Sequence, residues 1–171
     1  SKPSKRLSKT EFFEIQSEGM EKLVNADRHA VFTFVPIKAY TQKESFGDLD
    51  IIYSRRDWYD VNRRSMLNLV KDIFGDVEVV TNGDATSFDY NGFQVDLIKS
   101  DQKSMQFGYE YFNWNDLGNF IGRTAHRLGF KFGHDGLSYI VRDEDQPERV
   151  IKKIIVTTSY ASAMKFLGFD W

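Results

Sequence analysis

Apolar positions along the chain recur with two different periods, and the switches between them mark the elements. Phe12, Phe13, Met20, Leu23 and Val24 recur at helical spacing. Ser8-Lys9-Thr10-Glu11 opens that run with capping-box spacing, and Leu7 and Phe12 stand where a hydrophobic staple clamps a first turn. The pattern predicts a helix over about 9–25 that buries those five apolar residues. Residues 31–37, VFTFVPI, read as a strand closed by Pro36, and residues 47–53 as a second strand. Tyr59, Met66, Leu69, Val70 and Ile73 then share one face, predicting a helix over about 56–74 that Gly75 stops. Three short strands follow, at 76–81, 86–90 and 93–99. Asn82-Gly83 and Asn91-Gly92 mark their turns, the second with the composition of a tight hairpin.

The pattern changes character near 100–110. Residues 116–129 predict a helix with Leu117, Phe120, Ile121, Thr124, Ala125 and Leu128 as its buried stripe. Strands are expected at 137–142 and 150–156, around the acidic loop DEDQPER, and a last helix over about 159–167 ends at Gly168. The reading is an α+β chain: a mixed or antiparallel sheet with helices early, and a small α/β part late. No internal repeat or low-complexity tract interrupts it.

Two polar residues break the apolar alternation where it should be strongest. In SFGDLDIIY, Asp48 and Asp50 sit two apart in a predicted strand, so both side chains point the same way, roughly 7 Å apart. Leu49, Ile51 and Tyr53 point oppositely, into a core. In FQVDLIK the same arrangement recurs, with Asp96 between the core residues Val95 and Leu97. Paired strands lie about 4.8 Å apart, so pairing these two segments would set Asp96 beside the other carboxylates. Three carboxylates so placed repel one another unless a cation intervenes. Oxygen ligands without Cys or His suit Mg²⁺ or Mn²⁺. Two such ions about 4 Å apart can activate an attacking hydroxyl and stabilise a leaving pyrophosphate.

Composition narrows this picture without redirecting it. Of 171 residues, 41% are apolar, so a core is available, and no apolar run approaches the ~20 residues that span a bilayer. No secretory leader pattern is visible, and a cytoplasmic setting is expected. The absence of cysteine removes disulfides and thiolate metal sites, and with only three histidines zinc is not expected either. A formal charge of −2 argues against indiscriminate nucleic-acid binding but permits a local basic patch. The opening SKPSKRLSK holds four cations and no acid, and reads as a solvated tail or as an arm that touches phosphate. His126, Arg127 and Lys131 extend the polar side of the 116–129 helix.

With the acids in place, the chain resembles the nucleotidyltransferase superfamily, specifically the family X DNA polymerases typified by DNA polymerase beta. GDLDIIY followed by FQVDLI is similar to the family's palm pattern; YFNWNDLGNFIGRTAHRLGFKF looks like the stretch leading into its thumb; GHDGL and TTSYASAMKFLGFDW are similar to its closing segment. The resemblance covers about residues 30–171. It implies a nucleotidyltransferase palm with an N-terminal helix over 1–108 and a small thumb-like subdomain over 109–171. It implies two Mg²⁺ or Mn²⁺ ions on Asp48, Asp50 and Asp96, acting in transfer of a nucleotide from a nucleoside triphosphate to the 3′ end of gapped or primer-template DNA. Tyr111 and Phe112 match a pair that lines the sugar pocket. Asn119 and Arg123 match helix residues that touch the incoming base and the template, with Arg127 and Lys131 as further nucleic-acid contacts. Gly118 and Gly122, costly in a helix, fit either the close approach of something bulky, such as a base pair, or helix packing through small residues. Because some viruses keep a family X enzyme of about this size, the resemblance also implies a DNA-repair role, a viral setting in the host cytoplasm or nucleus, and a monomer.

The chain departs from the family in the segment FVPIKAYTQKESFGD, which lacks the Gly-Ser pair that helps cradle a triphosphate. Lys38, Lys43, Ser45 and Gly47 are the residues there that can meet phosphate instead. The lyase and helix-hairpin-helix parts that grip gapped DNA are also missing. Trp114 stands where the family has a small residue near the sugar, whereas Trp58 and Trp171 read as packing residues. Two other functions stay open: untemplated nucleotidyl transfer to RNA, a small molecule or a protein, and a catalytically inactive nucleic-acid-binding homologue.

Overall fold

The computed structural model describes residues 5–38, 42–56, 65–114 and 116–170, and divides the chain into two compact units, Ser1–Gln102 and Lys103–Trp171. The boundary expected at 108/109 falls inside a helix of the second unit.

The first unit is built from α1 (Lys9–Ala26), β1 (Phe32–Pro36), β2 (Asp48–Arg55), α2 (Met66–Phe74), β3 (Val79–Asn82), β4 (Ala85–Tyr90) and β5 (Phe93–Lys99). Local chemistry starts α1 as expected. The Ser8 hydroxyl accepts from the Glu11 N–H, and the Glu11 carboxylate accepts from the Ser8 N–H. Leu7 and Phe12 are both buried. The burial forecast for this helix was too wide, since Phe13 and Val24 are 39% and 56% exposed. Phe12, Gly19 and Leu23 make a narrower seam. Gly75 ends α2 with φ +82°, a conformation that favours glycine. α2 starts at Met66, later than the forecast of about 56: Ser65 has extended backbone and its hydroxyl accepts from the Asn68 N–H at 3.1 Å, capping the helix there, while residues 57–64, with Trp58 and Tyr59, lie outside the described residues.

The five strands form one mixed sheet in the order β1-β2-β5-β4-β3. β2 and β5 run parallel, and the other neighbours are antiparallel. Asn91-Gly92 closes the β4–β5 hairpin between the partners Tyr90 and Phe93, both turn residues having positive φ. The β3–β4 turn is one residue later than forecast: Asn82 pairs with Ala85, so Gly83-Asp84 form the loop, with glycine in the positive-φ first position of a type II′ turn. One sheet face carries Leu49, Ile51, Tyr53, Val95, Leu97 and Phe88 into a core shared with α1 and α2. The opposite face carries the acids.

The second unit holds α3 (Met105–Asn113), α4 (Leu117–Arg127), β6 (Phe130–Gly133), β7 (Gly136–Arg142), β8 (Val150–Thr157) and α5 (Tyr160–Phe166). β6, β7 and β8 form an antiparallel sheet in that order. Its core is Phe107, Ile121, Ala125, Phe132, Leu137, Tyr160, Ala163 and Met164. Two elements, α3 and β6, are additions to the sequence reading. The buried stripe of α4 is also narrower than forecast: Leu117, Phe120 and Leu128 are exposed, and Gly118, Ile121 and Ala125 make the contact. Among the described residues, no helix is long and apolar enough to cross a membrane.

Candidate active site

β2 and β5 bring the carboxylates together through register. On the ladder between them Asp48 faces Gln94, Asp50 faces Asp96, and Ile52 faces Ile98. These are alternate residues on both strands, so they share the face turned away from the core. The parallel pairing spaces Asp50 and Asp96 by about 4.8 Å between strands. β4 adds Ser87 opposite Asp96 on the other side. Asp48 lies at the exposed end, Asp50 and Asp96 are half-buried, and Ile52 and Ile98 are buried one pair further on.

That gradient shows in the charge of Asp50. Burial first, then repulsion from Asp48 and Asp96, push its carboxyl up to about 7, and Lys43 pulls in the opposite direction. The side-chain amide of Gln94 lies 3.1 and 3.0 Å from the two Asp96 oxygens and donates to that carboxylate. Gln94 is the member of this face that the sequence reading passed over. Its signal was its position, two before Asp96 on the same strand face. Among the described residues, no three His, Asp or Glu side chains already converge at ligand distance on a single point. The donor set nevertheless fits a hard divalent cation: it is all oxygen, and its mutual repulsion is what a cation would relieve.

The loop before β2 is held from an unexpected quarter. Leu7 and Phe46 exchange two backbone hydrogen bonds of 2.9 Å, which lays the segment before α1 alongside the loop. Arg6 then donates from Nε to the Ser45 hydroxyl and from Nη2 to the Ser45 carbonyl, both at 2.9 Å. A methyl group on Gly47 would sit 3.2 Å from Arg6 Nη1. Ser45, Gly47 and Lys43 are therefore in the loop that delivers Asp48. Lys38 is exposed just beyond β1, and residues 39–41 lie outside the described residues.

In the second unit, five of the residues forecast from sequence line one cavity of about 810 Å³: Tyr111, Asn119, Arg123, Arg127 and Lys131. His126, Tyr139 and Arg142 line it too, and none of the described lining residues is acidic. β6 and β7 bring Lys131, Tyr139 and Arg142 to the flank of α4. The wall therefore combines cations with aromatic side chains, the pairing that suits a phosphate-bearing strand with planar bases.

Phe112 is placed differently from its neighbour. It stacks on His134, with ring centroids 5.9 Å apart, and makes an edge contact with Tyr111. Trp114 is about half exposed, and its indole N–H donates to Glu110 at 3.3 Å. Of the two readings of Gly118, packing through a small residue is the one that holds. An added Cβ there would meet the Tyr111 carbonyl at 2.7 Å and its ring at 3.1 Å, so α3 already takes the space that the sequence reading left for a ligand. At Gly122 an added Cβ would lie 3.4 Å from the Phe132 carbonyl, close to an ordinary contact.

No family model matches the chain, and no curated protein sequence matches it.

Proposed function

We propose that the chain is a divalent-ion-dependent nucleotidyltransferase that adds a nucleotide to a DNA 3′ end, as its resemblance to family X polymerases implies. The observation that carries this reading is the parallel register of β2 and β5, which faces Asp50 with Asp96 and sets Asp48 two residues away on the same face. Two Mg²⁺ ions bound there would neutralise charge on the transferred phosphoryl group and lower the pKa of the attacking hydroxyl. Asp48, Asp50 and Asp96 would hold the ions. Asp96 would hold the one beside the 3′ hydroxyl and help take up its proton as the oxygen attacks the α-phosphorus and pyrophosphate leaves. The raised proton affinity of Asp50 supports this assignment, because a carboxylate disfavoured first by burial and then by two like charges gains most from a cation.

The cationic cavity of the second unit supports nucleic acid as the partner, since a small neutral acceptor has no use for Arg123, Arg127, Lys131 and Arg142 on one wall. Extension of a one-nucleotide gap, offered each deoxynucleotide singly with Mg²⁺, tests the reading. We expect one nucleotide to be added, chosen by the template base, and at least a hundredfold loss of rate in Asp96→Ala, the scale on which a positioned acid–base group acts. Addition indifferent to the template would favour untemplated transfer. No addition to any nucleic acid would favour the inactive homologue.

A further inference from the structure

The opening segment supplies a cation to the acid-bearing loop. Arg6 reaches Ser45 across the antiparallel bridge that Leu7 makes with Phe46, and it holds the residue through both its hydroxyl and its carbonyl. Bonds from Nε and Nη2 fix the plane of the guanidinium. Nη1 takes part in neither bond and lies against Gly47, the residue immediately before Asp48. The Ser45 oxygen accepts from Arg6, which leaves its own O–H to donate elsewhere. Gly47 contributes through its lack of a side chain, since a Cβ would press on the guanidinium at 3.2 Å. Lys43, which acts electrostatically on Asp50, belongs to the same loop. The edge of the carboxylate face thus presents a planar cation in a fixed posture beside a hydroxyl donor. Those are the parts that recognise phosphate oxygens.

From this geometry we infer that Arg6 is a positioning residue for the triphosphate: with the Ser45 hydroxyl, it binds the β- and γ-phosphoryl oxygens of the incoming nucleotide and brings the α-phosphorus to the carboxylates. The inference rests on the nucleotidyltransferase reading and adds the residue that selects a triphosphate over a monophosphate. It also gives the cationic opening segment a task beyond solvation. The segment is tied to the loop by main-chain bonds, so the guanidinium is pre-ordered and loses little freedom on binding.

Calorimetric titration of the protein with thymidine triphosphate and with thymidine monophosphate, both with Mg²⁺, tests it, with thermal melting of every variant as a folding control. The expected result is tighter binding of the triphosphate by the unaltered chain. Arg6→Ala should weaken triphosphate binding about tenfold, the scale of one charge-assisted hydrogen bond, and leave the monophosphate unchanged. Arg6→Lys, which keeps the charge but cannot make the paired contact to Ser45, should recover part of the loss. Equal weakening of both nucleotides by Arg6→Ala would mean that Arg6 only tethers the loop, and would overturn the inference. So would an Arg6→Ala protein that binds triphosphate as well as the unaltered chain while gap filling persists, which leaves the nucleotidyltransferase reading standing. An unaltered chain that binds neither nucleotide and fills no gap removes both.

Discussion

Asp50 shows how much a single position decides. It lies between an exposed acid and a buried isoleucine pair, and its carboxyl is pushed up to about 7 by burial and by Asp48 and Asp96. An unfolded aspartate titrates near about 3.9. The folded chain therefore holds that proton more tightly than the unfolded chain. The associated stability is complete below about pH 4 and is lost as pH rises through about 7. Without divalent ions, Asp50→Asn should melt above the unaltered protein at pH 8, and the gap should close towards pH 4; melting curves across that range check it. Added Mg²⁺ should raise the melting temperature of the unaltered protein at pH 8, because it binds only the folded state, and should leave Asp50→Asn close to its starting value. The acids themselves were legible in sequence, since an aspartate that alternates with core residues interrupts a strand pattern that apolar or neutral side chains would fill more cheaply. The Gln94 amide bonded to Asp96 was not, because its position two before Asp96 shows only that it shares the face, and not that it bonds to the carboxylate.

Elements were legible where their causes are local. The Ser8–Glu11 box, the Asn91-Gly92 hairpin and the Gly75 stop each depend on a few adjacent residues, and each was readable. Burial on the helices depends on partners, and there the periodicity overreached. The second unit is small and its core is short of surface to cover, so α4 buries only a seam through Gly118, Ile121 and Ala125 and leaves Phe120 in solvent. The helix α3 escaped notice because MQFGYEYFN spreads aromatic residues around the axis instead of along one stripe, and only Phe107 and Gly108 are buried. Two helical glycines put the role of partners to a direct test. Gly19 has open space where a Cβ would be built, so Gly19→Ala should stabilise the protein by up to about 1 kcal/mol, the helix-propensity difference. Gly118→Ala gains the same propensity but drives a methyl into the Tyr111 carbonyl at 2.7 Å, so the net effect should be destabilising. Chemical denaturation of the two variants checks the opposite signs.

For the whole molecule, charge placement matters more than charge total. A chain of formal charge −2 still sets Arg123, Arg127, Lys131 and Arg142 around one cavity with no acid among its described lining residues. The sequence showed three of these cations along one stretch. It did not show Arg142, which β7 carries to the same wall from beyond a hairpin. Binding of a single-stranded oligonucleotide should therefore weaken steeply with salt. Arg127→Ala should lower affinity and reduce the slope of log K against log salt by about 0.7, the contribution of one phosphate contact. Fluorescence anisotropy over a salt series measures both quantities.

The proposed chemistry requires that Asp48, Asp50 and Asp96 form one divalent-cation site, and titration with Mn²⁺ followed by electron paramagnetic resonance tests this most directly. The unaltered chain should remove the free Mn²⁺ signal near neutral pH, with Mg²⁺ competing, and Asp50→Asn and Asp96→Asn should each abolish or sharply weaken the uptake. Uptake by the unaltered chain that is equal in both variants, or no uptake at all in the presence of nucleoside triphosphate beyond what the nucleotide alone binds, would contradict it.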